Sequence, residues 1–276
     1  MTPCLLALDT STDRLAAALQ TPAGRWCVNE AGGALASARL VPLLMSLLAD
    51  AGVALAQVQA IAFGQGPGAF TGLRTACAVA QGLAFAGNTP VLAIDSLLIV
   101  AEDARTQAAA ASLPSDGDGD WWVAMDARMD EVYAAAYRHD ASTGWHSRVA
   151  PRLWTLPALL DAWAAAPPAR VAGNALAAFG DRLPAPDARR WPSCSDRAAA
   201  LLQLAGQAWD RGEGLAADQA LPLYLRDKVA QTTAERQALR DAASSATATV
   251  TATATAAAAA AAPVTLPPGA PAVPSA

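Results

Sequence analysis

The chain has 276 residues, is 54% hydrophobic and 16% charged, and carries a net charge of −5 with a single lysine, Lys228. That length allows about two domains and a sizeable core. The charge excludes broad binding of a nucleic-acid backbone by this chain alone, which needs clustered cations, and no clean apolar run reaches the ~20 residues that span a bilayer.

Residues Met1 to Asp9 lack a basic leader and meet Asp9 too early for a signal peptide, so the expected location is the cytoplasm. Leu6 to Ala18 reads as a β-hairpin whose first strand ends in Asp9. Gly24 to Asn29 is a third strand, Ser37 to Ala51 a helix and Ala60 to Gly64 a strand. Then comes a turn with four glycines and a proline in eleven residues, Gly64 to Arg74. Gly66, Pro67, Gly68, Phe70, Thr71 and Gly72 are its structural residues. Glycine there permits close backbone approach to a ligand or a neighbouring chain, and the helix N-terminus that follows could hold an anion.

A helix follows over Thr71 to Ala86, a strand over Val91 to Asp95 and a helix over Ser96 to Ala111. Residues 112–120 alternate Asp and Gly and read as a solvated linker, because the terminal Glu of a calcium loop is missing. The second half opens with a hairpin at Trp122 to Arg138. A helix at Thr155 to Ala166 and a short strand ending at Gly173-Asn174 come next. A helix at Ser195 to Arg211, with Ser195 as N-cap, and the closing segment Leu221 to Arg226 complete it. From Ala242 onward no residue is charged, and this Ala/Thr/Pro-rich tail is expected to be disordered.

Two segments repeat one pattern: Leu6 to Ala18 and Val123 to Ala135, with Asp9 matching Asp126 and Asp13 matching Asp130. The repeat predicts two like α/β domains, each with a mixed sheet and packed helices. Asp9, Thr10, Ser11 and Asp126 are candidates for holding a metal–nucleotide across a cleft; capping of strand-end turns is the plainer reading of both aspartates. Cys4, Cys27, Cys77 and Cys194 form no CxxC pair and read as buried free thiols. His139 and His146 have no flanking ligands at zinc spacing.

The helices near 37–51 and 71–86 lack the polar stripe that a sheet-covering helix shows to water. Gly72, Ala76, Ala80 and Ala84 form one ridge of small side chains, and Ala78, Gly82 and Ala86 a second. Burial inside this chain is one reading and a partner surface the other. The candidate interface is Leu40, Leu43, Leu44, Leu47, Arg74, Ala76, Ala80, Gly82 and Leu83.

Leu6 to Ser11 (LALDTS), Gly66 to Arg74 (GPGAFTGLR), Asp126 to Tyr133 (DARMDEVY) and Pro222 to Arg226 (PLYLR) occur in an order that resembles the bacterial TsaB (YeaZ) family. The resemblance covers about residues 4 to 230. It implies two actin-like (ASKHA, ribonuclease H-like) domains, the second reduced: residues 1–111, a linker 112–120, residues 121–230 and a low-complexity tail 231–276. It implies a non-catalytic scaffold in the biosynthesis of threonylcarbamoyladenosine beside the tRNA anticodon. The expected partners are a TsaD-like catalytic subunit and a TsaE-like ATPase, with ATP and metal on those subunits and tRNA met only through the complex. No cofactor, metal or catalytic residue is assigned to this chain. A His-x-x-x-His metal pair of the catalytic relative corresponds to Ser96 and Val100 here, and a histidine of many relatives to Ala36. A homodimer through the same helices and an active ASKHA-type ATPase or phosphotransferase are the alternatives.

Overall fold

Strand β1 (Leu5–Asp9) is buried along its whole length, which is why it reads as a continuous apolar run and not as an alternation. The computed structural model of the chain describes residues 2–33, 36–111 and 118–226. β1 pairs antiparallel with β2 (Arg14–Thr21), and β2 antiparallel with β3 (Gly24–Ala31). On its other side β1 pairs parallel with β4 (Ala60–Gly66), and β4 parallel with β5 (Val91–Asp95). The first sheet therefore runs β3-β2-β1-β4-β5.

The second sheet repeats this plan. β6 (Gly119–Asp126) pairs antiparallel with β7 (Glu131–Asp140), and β7 antiparallel with β8 (Gly144–Thr155). β6 also pairs parallel with β9 (Arg170–Ala172), and β9 parallel with β10 (Arg189–Trp191). Its order is β10-β9-β6-β7-β8, the first sheet's arrangement read from the other edge. Asp9 ends β1 and Asp126 ends β6, so the duplicated hairpins occupy the same place in both sheets. β8 and β10 escaped the sequence reading. β8 is an edge strand whose exposed face breaks the apolar alternation, and β10 has only three residues.

Helices fill both faces of each sheet. Leu6, Leu8, Ile61 and Phe63 point to one face of the first sheet and pack against α1 (Ala36–Asp50) and α2 (Phe70–Gly87). Leu5, Ala7, Ala60 and Ala62 point to the other face and pack against α6 (Arg197–Asp210). Between the sheets runs α3 (Ser96–Ala110), with Leu97, Val100, Ala101 and Ala104 against Trp121, Val123 and Ala135 of the second sheet. The far face of that sheet is covered by α4 (Leu156–Ala165) and the short α5 (Ala175–Phe179).

The helix near 195–211, assigned from sequence to the second half, thus completes the first sheet's core. Its N-cap is Asp196, which accepts from Ala199 N at 3.0 Å. Ser195 instead donates its backbone N–H to buried Asp103 of α3 at 3.0 Å. The expected disordered tail, Lys228 and most of the 112–120 linker lie outside the described residues. Among the described residues no helix is long and apolar enough to cross a membrane.

Asp95 joins the two sheets. It caps α3 by accepting from Leu97 N at 2.9 Å, and it accepts a short hydrogen bond from the Tyr137 hydroxyl of β7. Burial pushes its carboxyl from 3.8 up to about 6, against the downward pull of the Tyr137 hydrogen bond, the Leu97 and Leu98 amides and the Arg197 charge. A folded-state pKa above the unfolded one means that folding favours the protonated form. That stability is full below pH 3.8 and is lost as pH rises through about 6. The loss is about 3 kcal/mol at 1.36 kcal/mol per unit. Asp95→Asn keeps an acceptor for both donors and carries no proton equilibrium. Urea denaturation at pH 4 and pH 7 is expected to show the parent losing about 3 kcal/mol relative to the variant. Equal pH courses for the two proteins would refute the assignment.

Candidate functional site

The nucleotide candidates Asp9, Thr10 and Ser11 are all buried at the end of β1. Asp9 forms an ion pair with Arg197, the first residue of α6, and both side chains are almost fully enclosed. The same carboxylate accepts from Ser11 N at 3.2 Å and from Ser11 Oγ at 3.0 Å. Arg197 also donates to Ser11 Oγ at 2.8 Å and to the Ser96 carbonyl at 3.2 Å. Every oxygen of Asp9 is therefore committed inside the chain.

The glycine-rich turn seals this corner from outside. Thr10 Oγ1 donates to the Gly72 carbonyl at 2.7 Å, and Ala69 N donates to the Ser11 carbonyl at 2.7 Å. A Cβ on Gly64 would overlap the Asp9 carboxylate, one on Gly68 the Ser11 carbonyl, and one on Gly72 the Thr10 carbonyl. The glycines serve a close approach of chain to chain, the second of the two roles open at sequence level. Gly66 has φ +119 and precedes a cis bond to Pro67. Phe70 and Thr71 open α2 beyond it.

These residues do not fit a metal–nucleotide. Asp9 faces a guanidinium where a cation would need it, and the turn's space is taken by the backbone of α2's first turn. Nor do the positions of the absent histidine pair fit a metal: Ser96 Oγ accepts from Gly66 N at 3.0 Å, and Val100 is a buried hydrocarbon. Asp126 lies elsewhere, with its Oδ1 accepting from Arg128 N at 2.8 Å and its own N–H donating to Asn174 Oδ1 at 2.8 Å. The contacts do not bring Asp126 together with Asp9. Arg197 was missed from sequence. The available signal was an arginine opening an otherwise apolar helix, which carries no hint of a partner 188 residues away.

The helix pair divides by face. Leu40, Leu44, Leu47, Ala76 and Ala80 are buried against the chain's own first sheet. Leu43 and Leu83 are half-buried, whereas Arg74 and Gly82 are exposed. The ridge Gly72, Ala76, Ala80, Ala84 thus faces inward, and the ridge Ala78, Gly82, Ala86 faces out. Val41, Met45 and Phe85 stand on the outward side, Phe85 at 84% exposure. A groove of about 670 Å³ opens beside Phe85, between the end of α2 and residues 214–218. Ala36 is buried in the core at the start of α1.

Of the four cysteines, Cys4 and Cys77 are buried, but Cys27 is exposed on the edge strand β3. Cys194 is partly enclosed, and burial pushes its thiol up to about 12. His139 meets Asp118 at 2.9 Å and His146 meets Thr143 at 2.8 Å.

A duplicated five-stranded sheet with an inward-turned strand-end aspartate and an open helix pair is the frame against which relatives were compared. The family model described as TsaD, tRNA N6-adenosine threonylcarbamoyltransferase, matches residues 34–263. The tRNA threonylcarbamoyladenosine biosynthesis protein TsaB of Haemophilus influenzae is 40% identical over 129 residues, 47% of this chain and 51% of that protein. This chain thus spans about half the length of that relative. The TsaB of Escherichia coli is 28% identical over 82% of this chain and 96% of its own length. Among solved structures, YeaZ from Pseudomonas aeruginosa is 37% identical with a TM-score of 0.67, covering 81% of this chain and all of that one. A Pseudomonas aeruginosa protein described as similar to the peptidase YeaZ is 40% identical with a TM-score of 0.71, at the same coverage. The chain belongs to the TsaB (YeaZ) family, within the wider group that the TsaD model describes.

Proposed function

We propose that the chain is a non-catalytic subunit of the cytoplasmic machinery that makes threonylcarbamoyladenosine in tRNA. It pairs through the outward face of α1 and α2 with a TsaD-like catalytic subunit, stabilises it, and helps form a surface for a TsaE-like ATPase and tRNA. The observation that carries this reading is the apolar character of that face: Val41, Met45, Ala78, Gly82, Phe85 and Ala86 all meet solvent. Exposed apolar patches of this kind mark interaction sites, and a stable interface buries about 800 Å² per partner. The names of the TsaB relatives support the pathway. A homodimer would use the same face and would exclude the catalytic partner. The ATPase alternative is disfavoured by the Asp9–Arg197 pair, which occupies the acid that such chemistry would use.

The test is Gly82→Arg. A side chain at Gly82 meets nothing within 4 Å in this chain, so the fold is expected to keep its melting temperature. A charge placed in the apolar contact is expected to weaken pairing with the TsaD-like subunit by roughly a hundredfold or more. Unchanged co-purification would refute the pairing. Ala80 is unsuitable for this purpose, because it is fully buried against the chain's own sheet.

A further inference from the structure

We propose that Arg74 is a preorganised anchor for a carboxylate of the partner subunit, set at one end of the apolar α1/α2 face. This rests on the pairing reading above and names the chemistry of that contact. Arg74, Ala78, Gly82 and Phe85 are exposed, and their spacing puts them on one side of α2. The guanidinium lies over the Phe70 ring, 3.9 Å from its centre, and 6.0 Å from the centre of the Tyr224 ring. Its Nε donates to the Tyr224 hydroxyl at 3.1 Å. The two rings pack on each other with centres 5.2 Å apart. Tyr224 is itself fixed, because the neighbouring Leu223 N donates to the Gln65 carbonyl at 2.8 Å. The orientation of the fork is thus set by two aromatic rings, one of them 150 residues away.

The terminal nitrogens of Arg74 make no hydrogen bond or ion pair among the described residues. Other arginines of this half are neutralised: Arg197 by Asp9 and Arg39 by Glu30. A stacked guanidinium with its outer edge open suits bidentate capture of a planar anion. The surroundings select a protein carboxylate over an RNA phosphate. Along α1 and α2 the charged residues are Arg39, Asp50 and Arg74, so no cluster of free cations follows a phosphate backbone. The neighbours are instead apolar, the setting in which an aromatic-backed arginine dominates a protein contact.

The experiment titrates the purified TsaD-like subunit with the full chain and its Arg74→Lys and Arg74→Glu variants, at low and high salt. Melting temperatures should match the parent, because Arg74 is exposed. Arg74→Lys is expected to bind roughly tenfold more weakly and Arg74→Glu roughly a hundredfold. Changing one acidic residue on the partner's facing helices to Arg should restore binding of the Arg74→Glu chain. Parental affinity for both variants would overturn the anchor. Gly82→Arg, run in parallel, separates the two claims: if it alone abolishes pairing, the anchor fails and the pairing stands; if neither change matters, the pairing fails. Intact pairing with lower tRNA retention by the assembled complex would assign Arg74 to phosphate and overturn the proposal.

Discussion

Arg197→Met is expected to destabilise the chain by about 3–5 kcal/mol, the range for stripping one partner from a buried ion pair. Arg197 is 4% exposed and Asp9 fully enclosed, so the remaining carboxylate would have no water to turn to. The same change removes the donors to Ser11 Oγ and to the Ser96 carbonyl. The double variant Asp9→Asn/Arg197→Met should recover much of the loss. It strands no charge, and Asn retains an acceptor for Ser11 N. Denaturant titration of the three proteins at pH 7 decides the matter. A single variant within about 1 kcal/mol of the parent would show that the pair does not tie α6 to β1 as described.

Two glycines of one helix should respond with opposite signs. Gly72→Ala would put a methyl group into the Thr10 carbonyl, and both sides of that contact are backbone. Relief requires breaking the Thr10–Gly72 or the Ala69–Ser11 hydrogen bond, at a cost of about 3 kcal/mol, the upper end for overpacking. Gly82→Ala meets open space and should stabilise α2 by about 0.5–1 kcal/mol, the helix preference of alanine over glycine. Thermal melts of both variants are the measurement. A neutral Gly72→Ala would mean that the turn is looser than the fit of α2 against the β1–β2 turn implies.

These contrasts mark where reading the chain by itself reached its limit. The helix at 70–87 and its small-residue ridges were legible, because composition and period depend on local backbone geometry. Which ridge faced inward was not. An alanine ridge beside another alanine ridge has nearly the same polarity on both sides, and only the position of the first sheet breaks the tie. Five of the nine candidate interface residues proved to be core for that reason. Glu102 and Asp103 were equally silent. Both are buried on α3, where Glu102 accepts from Trp145 Nε1 at 2.8 Å and Asp103 holds Ser195. Their partners lie 43 and 92 residues away, beyond any local pattern.

From its own residues the chain determined the duplicated hairpins, the strand-end positions of Asp9 and Asp126, the glycine turn and nearly every helix. Each of these follows from hydrophobic period or from backbone torsion preferences over a dozen residues. Tertiary structure alone decided that α6 closes the first sheet, that Arg197 consumes Asp9, and that Arg74 leans on Tyr224 with its outer edge free. Those outcomes depend on which distant segments meet, and a charge or a ring has no role until its counterpart is in place.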